Sequence, residues 1–315
     1  MQKHELLINS KSKNYIVTIA IGLNYLNDWK KYALSLWKKY CRKHGIGLIV
    51  ITENLINKQN SHWKKPMWQK MILGKYLSEA GLKIKNICYL DTDILINPFA
   101  PNIFDYHDEM KISLVSESHN LPYELDFVRR KLSFFRNRYY SKKYPLDSSL
   151  FMKVSEKYKF HSLKPQKDYV CTGVIIFNMK RFSSVMNKWF YKYKKNIKTL
   201  TGGGEEPILN YELFKTKKIK LLDYKFQALW MYEMALNYSF LYKEKKIKNN
   251  ILKLCIENCL MNNYFLHFPG SWHEGNMWKI KNIFLNKRSL NISKNFNNYL
   301  NLKLTRKPAG RILPK

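Results

Sequence analysis

Acidic residues are scarce in this chain. Its 315 residues hold 23 Asp and Glu against 56 Lys and Arg, a formal net charge of +33. Such a surplus draws polyanions: nucleic acid, anionic lipid or acidic glycan. The charge is spread along the chain rather than gathered in one arm. Lys, Asn, Ile and Tyr, the residues of A/T-rich codons, are abundant throughout, so the basicity has two readings, genome composition or an anionic surface or substrate, and is not by itself a nucleic-acid signature. No apolar run approaches the roughly 20 residues that span a bilayer. The opening Met-Gln-Lys-His-Glu lacks the charged-then-apolar layout of a secretory signal. Five cysteines, an odd number without framework spacing, argue against a disulfide scaffold and for reduced thiols in a cytosol. Cys255 and Cys259 stand four apart, but no His or further Cys completes a zinc pattern, so both read as buried thiols. No internal repeat is visible. A hydrophobic fraction of 45% with 15% aromatics is ample for a core, which excludes a disordered chain.

Strand and helix patterns alternate from the start. Residues 15–21 are apolar and β-branched and end at Gly22, which reads as a buried strand. Asn27 or Asp28 is expected to cap the following helix, with Trp29, Ala33, Leu36, Trp37 and Tyr40 on its apolar face and Gly45 at its end. A second strand at 46–52 completes a βαβ unit and implies a parallel sheet. After a polar loop, 67–82 has helical spacing closed by Gly81. Further strands are expected at 87–90, 112–117, 170–178, 219–222 and 264–268, with helices at 179–196 and 208–214. Between 118 and 169 the pattern breaks into a segment where bases alternate with rings, including Arg129, Arg130, Arg136, Arg138, Lys142 and Lys143 beside Phe127, Phe134, Phe135 and Tyr144. Part of it, about 124–140, fits a basic amphipathic helix. From about Trp278 the chain is basic and Asn-rich, a terminal helix and a poorly ordered tail.

One stretch organises the rest. Residues 86–99 read Asn-Ile-Cys-Tyr-Leu-Asp-Thr-Asp-Ile-Leu-Ile-Asn-Pro-Phe. Two carboxylates, Asp91 and Asp93, follow a short apolar strand at i and i+2, the spacing at which side chains of an extended chain point the same way. A buried strand does not carry acids at its end unless they are paired or hold a cation. Ligands of open α/β sheets sit beyond the carboxyl ends of the strands, where this pair falls.

Four segments then occur in one order: Tyr-Leu-Asp-Thr-Asp-Ile-Leu at 89–95, Cys-Thr-Gly-Val-Ile-Ile-Phe-Asn at 171–178, Gly-Glu-Glu-Pro-Ile-Leu-Asn at 204–210 and His-Phe-Pro-Gly at 267–270. Together they resemble the GT-A-type nucleotide-sugar glycosyltransferases, notably the glycogenin and bacterial lipopolysaccharide glycosyltransferase group. The likeness implies a single Rossmann-like α/β domain over 1–285, with a mostly parallel central sheet flanked by helices. Residues 118–169 become an acceptor-side insertion, and 286–315 a basic C-terminal helix or tail.

The resemblance also implies roles. Asp91, Asp93 and His267 become ligands of Mn²⁺ or Mg²⁺, an oxygen-and-nitrogen set that suits either ion. Tyr25, Lys70, Asp91, Thr172, Gly173 and Gly270 fall on the nucleotide-sugar donor, which is expected to be UDP-linked. The group's diphosphate-binding Lys, three residues after the last glycine, is His273 here, with Lys279 further along as its replacement. Where the group has Asp-Gln-Asp this chain has Glu205-Glu206-Pro207, which puts the donor sugar in doubt but leaves Glu205 and Glu206 as catalytic candidates, in a reaction that retains anomeric configuration. Two acids at a helix entry also serve as caps. Arg129, Arg130, Arg136 and Arg138 are expected to meet a glycan acceptor, anionic in character. A cytoplasmic enzyme, peripheral at the inner face of a membrane and without specific nucleic-acid binding, fits the charge and the lack of a span. The rival readings are a nucleic-acid- or polyanion-binding protein and a catalytically inactive glycan-binding homologue.

Overall fold

A computed structural model describes residues 2–140, 148–194, 197–199, 202–243, 248–270 and 272–284, with 291 and 294. Ten strands and ten helices occur among them. The strands are β1 (His4–Ile8), β2 (Asn14–Ile19), β3 (Gly47–Ile51), β4 (Asn86–Leu90), β5 (Ile94–Ile96), β6 (Ile112–Ser116), β7 (Val170–Asn178), β8 (Ile219–Leu221), β9 (Ala228–Leu229) and β10 (Phe265–His267). The helices are α1 (Leu23–Tyr32), α2 (Leu34–His44), α3 (Leu73–Glu79), α4 (Leu125–Tyr139), α5 (Ser148–Phe151), α6 (Val154–Phe160), α7 (Met179–Lys192), α8 (Glu206–Lys215), α9 (Trp230–Asn237) and α10 (Asn249–Asn262).

Seven strands form the central sheet in the order β1-β3-β2-β4-β7-β6-β8. The α/β class holds, and the β3-β2-β4 half is parallel as expected. The sheet as a whole is mixed rather than mostly parallel. Strand β1 runs against β3, and β7 runs against both β4 and β6. The long segment between β6 and β7 carries the chain round so that β7 enters from the other end, which a compact βαβ crossover does not do.

Side chains of this sheet alternate between two apolar layers, as a period of two requires. Ile16, Leu48, Val50, Cys88, Leu90, Val174 and Ile176 join the layer that includes residues of α1, α2, α9 and α10. Tyr15, Val17, Ile49, Ile87, Tyr89, Ile175 and Phe177 face α3, α7 and α8. Both faces are covered, so the strands read as continuous hydrophobic runs.

The first helix starts earlier than expected. Gly22, at φ +101°, precedes α1 and carries no side-chain cap, so Asn27 and Asp28 lie inside the helix. A break at Ala33 divides it from α2, which ends at Gly45 in the left-handed conformation, φ 64°. Residues 66–72 form a 3-10 turn before α3 rather than one continuous helix. The helix expected at 124–140 is α4. All five cysteines are buried and unpaired. No helix among the described residues is long and apolar enough to cross a membrane. The proposed tail at 286–315, and Lys142, Lys143 and Tyr144 of the insertion, lie outside the described residues, apart from 291 and 294.

Candidate active site

Asp91 and Asp93 emerge from the carboxyl end of β4, and a second, three-stranded sheet takes over within a few residues. In that sheet β10 lies between β5 and β9. Its register sets His267 opposite Ile94 on one side and Leu229 on the other. The Phe268 amide donates to the Asp93 carbonyl at 3.1 Å, and the buried Trp37 indole donates to the Ile94 carbonyl at 2.8 Å. A residue 174 positions along the chain is thereby fixed beside the two acids by main-chain pairing.

The three side chains converge. His267 Nε2 lies 3.3 Å from Asp93 Oδ1 and 3.8 Å from Asp91 Oδ2, and one ligand atom from each residue falls within 4.8 Å of the others. His267 is buried and both carboxylates are half-buried. Gln227, immediately before β9, settles the ring. With its amide oxygen turned toward the donors around it, that oxygen accepts from His267 Nδ1 at 3.1 Å and from the Gly173 and Val174 amides, both at 3.3 Å. Nδ1 then carries the proton and Nε2 presents its lone pair to the carboxylates, the arrangement by which an outer partner prepares an imidazole for metal. Two carboxylate oxygens and one imidazole nitrogen are a donor set that fits a divalent cation such as Mn²⁺ or Mg²⁺.

Gly173 is where this cluster is tightest. A β-carbon there would lie 2.5 Å from His267 Cε1, 2.8 Å from the Gln227 side-chain amide and 3.0 Å from Asp91 Oδ2. Only a glycine lets β7 pass this close to the ligand set. Its carbonyl accepts from the Asp91 amide at 2.9 Å.

Behind Asp91 lies a buried polar chain. The Tyr89 phenol donates to Asp91 Oδ1. Burial first, and then the Asp91 charge, hold that phenol well above its usual pKa, so it remains a donor. Lys70, fully enclosed, lies 2.8 Å from Glu205 Oε1 and 3.6 Å from Asp91 Oδ1. It also donates to the Thr172 carbonyl at 2.9 Å and stacks over the Tyr89 ring at 4.5 Å. Burial works against the ammonium charge, but Asp91 and Glu205 outweigh it and its pKa ends above the ordinary lysine value. The Thr172 hydroxyl donates to Glu205 Oε1 at 2.7 Å. Glu205 makes no side-chain cap to α8. Its carboxylate is committed inward, to Lys70 and Thr172.

Glu206 points elsewhere. Burial, followed by the nearby Glu117 carboxylate, pushes its carboxyl up to about 8, while Lys157 acts in the opposite sense. Cys171 completes this second group, with one atom each of Glu117, Cys171 and Glu206 within 4.8 Å of one another. Lys157 pairs with Glu117 at 3.0 Å, and the Tyr169 hydroxyl is bonded to Glu206.

The remaining expected residues are scattered by comparison. Tyr25 is 67% exposed on the first turn of α1. Lys279 reaches the same helix and pairs with Asp28 at 2.9 Å. Gly270, at φ +86°, turns the chain after β10, and its carbonyl would meet a β-carbon on Gly275 at 2.5 Å. His273 is exposed with its ring edge-on to Tyr140. Of the four arginines, Arg130 and Arg138 are exposed and Arg129 is half-buried and bonded to Tyr232. Arg136 is buried instead, paired with Glu274 at 2.8 Å and stacked on Trp272. As an acceptor contact it is corrected: α4 turns it inward, where it ties the insertion to the loop after β10. Gln227, Tyr89 and Glu117 carry no sequence pattern that marks them, except that Tyr89 lies two residues before Asp91 on the same strand face.

No family model matches the sequence, and no curated protein does. Solved structures of similar shape include a glycosyltransferase involved in the glycosylation of the major capsid of PBCV-1. It is 12% identical with a TM-score of 0.48, over 84% of this chain and 97% of that one. Another is the galactosyltransferase LgtC with donor and acceptor sugar analogues, 13% identical with a TM-score of 0.40, over 93% and 97%. An active-site mutant of LgtC is 14% identical with a TM-score of 0.42 over the same shares. Likenesses this distant leave the functional reading to the residues of the site.

Proposed function

We propose that the protein is a metal-dependent glycosyltransferase that moves a sugar from a nucleotide donor, UDP-linked, to a hydroxyl of a glycan, with retention at the anomeric carbon. The observation that carries this reading is the convergence of Asp91, Asp93 and His267 beyond the carboxyl end of β4, with Gln227 fixing the imidazole tautomer. A divalent cation held there supplies Lewis-acid stabilisation to a departing diphosphate.

The surrounding residues divide the remaining work. Asp91 accepts from Tyr89 and lies beside Lys70, which fixes that carboxylate in direction. Lys70 and Glu205 act as a positioning pair, neutralising each other in the interior and holding Thr172 and Asp91 in place. Glu205 is thereby assigned to support rather than to proton transfer. Glu206 is free of that network and carries a raised pKa, which suits a group that orients the donor sugar or exchanges a proton near neutral pH. Tyr25 on α1 is the assigned contact for the base. Thr172, Gly173 and Gly270 line the donor side, with His273 and Lys279 toward the diphosphate. Arg130 and Arg138 face an acceptor, for which an anionic glycan at the inner surface of a membrane is the natural class given the charge.

Thermal unfolding with UDP, Mn²⁺ and both together tests the reading. Saturating ligand at a hundredfold excess over Kd stabilises a native state by about 2.7 kcal/mol. The combined shift should exceed either alone, and Asp93→Ala should remove the metal-dependent part and the donor hydrolysis while leaving the unliganded transition in place. Stabilisation by a polynucleotide, with none by UDP and metal, would replace this reading with that of a polyanion-binding protein.

A further inference from the structure

The end of the sheet opposite the two aspartates carries a different feature. Asn86 and Asp91 are separated by five residues of extended chain, about 16 Å at roughly 3.3 Å each. At the Asn86 end, the amino ends of β2, β4, β6 and β8 and the carboxyl end of β7 surround a cavity of about 870 Å³. Lys13, Lys83, Lys85, Lys180, Arg181 and Lys218 ring it, against the single acid Glu109.

The sheet itself fixes where these cations stand. The Lys85 amide donates to the Lys13 carbonyl at 2.8 Å, the Met179 amide to the Lys85 carbonyl at 2.9 Å, and the Ile112 amide to the Lys218 carbonyl at 2.8 Å. Side-chain amides tie the same three strands together. Asn86 donates to Asn14 and Asn178 donates to Asn86, both at 3.0 Å, and Asn86 and Asn178 are buried. Glu109 pairs with Lys85. Among the described residues no acid lies within ion-pair distance of the other five cations. Like charges on neighbouring strands repel when nothing lies between them. The amino end of α7, capped by Asn178 onto the Arg181 amide at 3.2 Å, adds its partial positive charge to the same space.

We propose that this basin is a binding site for a ligand carrying clustered phosphate groups, separate from the transfer site. The argument is one of charge density and size. Five uncompensated cations around one concavity exceed what a single carboxylate neutralises, and the volume belongs to a ligand larger than one phosphate ion. Lysine point charges and one guanidinium fork are the donors that phosphate oxygens take. The shared chemistry has two sources, a lipid headgroup in a membrane surface or a soluble polyphosphate ester.

Two triple variants of equal charge change separate this site from the general field. K180E/R181E/K218E alters the basin, and K31E/R42E/K159E alters exposed cations elsewhere. Acids at positions 180 and 181 sit favourably at the start of α7, so the first variant is expected to fold. Each is titrated with tripolyphosphate, and each is sedimented with phosphatidylcholine vesicles with and without roughly one-third phosphatidylglycerol. The basin variant should lose at least tenfold more affinity than the control for one of these probes, with a shallower salt dependence. Loss on the vesicles assigns the headgroup, and loss on tripolyphosphate alone assigns the soluble ester. Equal loss in both variants, or no binding of either probe by the wild type, overturns the proposal. Neither probe needs metal or sugar donor, so the outcome is independent of the transferase reading.

Discussion

Replacing Gly173 by alanine is the most discriminating perturbation of the site. The backbone φ at Gly173 lies outside the left-handed region, so the substitution adds no backbone strain and acts through one methyl group. That methyl would sit 2.5 Å from His267 Cε1, with the Gln227 side-chain amide at 2.8 Å and Asp91 Oδ2 at 3.0 Å. Ordinary contact begins near 3.4 Å, so the imidazole must retreat by nearly 1 Å or β7 must lift away from β4. The second route breaks the bond from the Asp91 amide to the Gly173 carbonyl, so the ring should move. Overpacking of this kind costs about 1–3 kcal/mol of stability. The larger effect is functional. Disturbing the partners that orient a metal ligand costs about 10–100-fold in affinity, and a 1 Å misplacement of a catalytic group costs about 100-fold in rate. Mn²⁺ titration followed by electron paramagnetic resonance, beside donor hydrolysis at saturating metal, separates the two. Glycine-to-alanine with unchanged Mn²⁺ affinity and unchanged turnover would show that His267 is not held against the aspartates for this purpose.

Three further outcomes are expected. Arg136→Gln should destabilise the fold by about 3–5 kcal/mol, because it strands the buried Glu274 charge, whereas neutralising Arg130 and Arg138 together should leave the melting temperature alone and raise the acceptor KM with a flatter salt dependence. The folded state holds the proton of Glu206 up to about pH 8 while the unfolded chain releases it near pH 4.5, so stability from this group is present below that lower value and lost as pH rises toward 8. Burial sets that shift first, with Glu117 and Glu205 adding to it and Lys157 and the Tyr169 hydrogen bond opposing it, and denaturant titrations of Glu206→Gln at several pH values should show the slope removed. Proton NMR of the first-formed product should show an α-linkage from a UDP-α-sugar, and a β-linked product would overturn the assignment of retention.

The elements that sequence periodicity located were those whose burial is two-sided. Strands β2, β3, β4 and β7 are long apolar runs because both faces of the sheet are covered, and a run of that kind leaves little choice of interpretation. The amphipathic α4 was legible for the complementary reason: Val128 and Leu132 repeat at helical spacing on one face. Strand direction was not legible. An antiparallel β7 has the same composition as a parallel one, and only the path of the 118–169 segment distinguishes them. Asn27 and Asp28 have capping chemistry, whereas the turn into α1 is made by Gly22 at a φ that other residues resist.

Within the site, the residues that stood out were those whose chemistry conflicts with their surroundings. Two acids after a buried strand, and a histidine in an apolar segment, are conspicuous because burial without a partner costs several kcal/mol. Residues that resolve such conflicts leave no comparable trace. Gln227 is a neutral amide in an aromatic stretch, and its importance lies in an orientation that no spacing rule records. Glu205 shows the converse. Beside Glu206 at a helix entry it looks like half of a catalytic pair, yet its carboxylate is spent on Lys70 and Thr172. A lysine this deeply enclosed needs an acid of its own, and Asp91 alone, at 3.6 Å, would then have to serve both the ammonium and a cation. Supplying Glu205 to Lys70 leaves Asp91 available to face outward. Two adjacent glutamates therefore have unlike surroundings, one balancing the Lys70 charge in the interior and one grouped with Glu117 and Cys171.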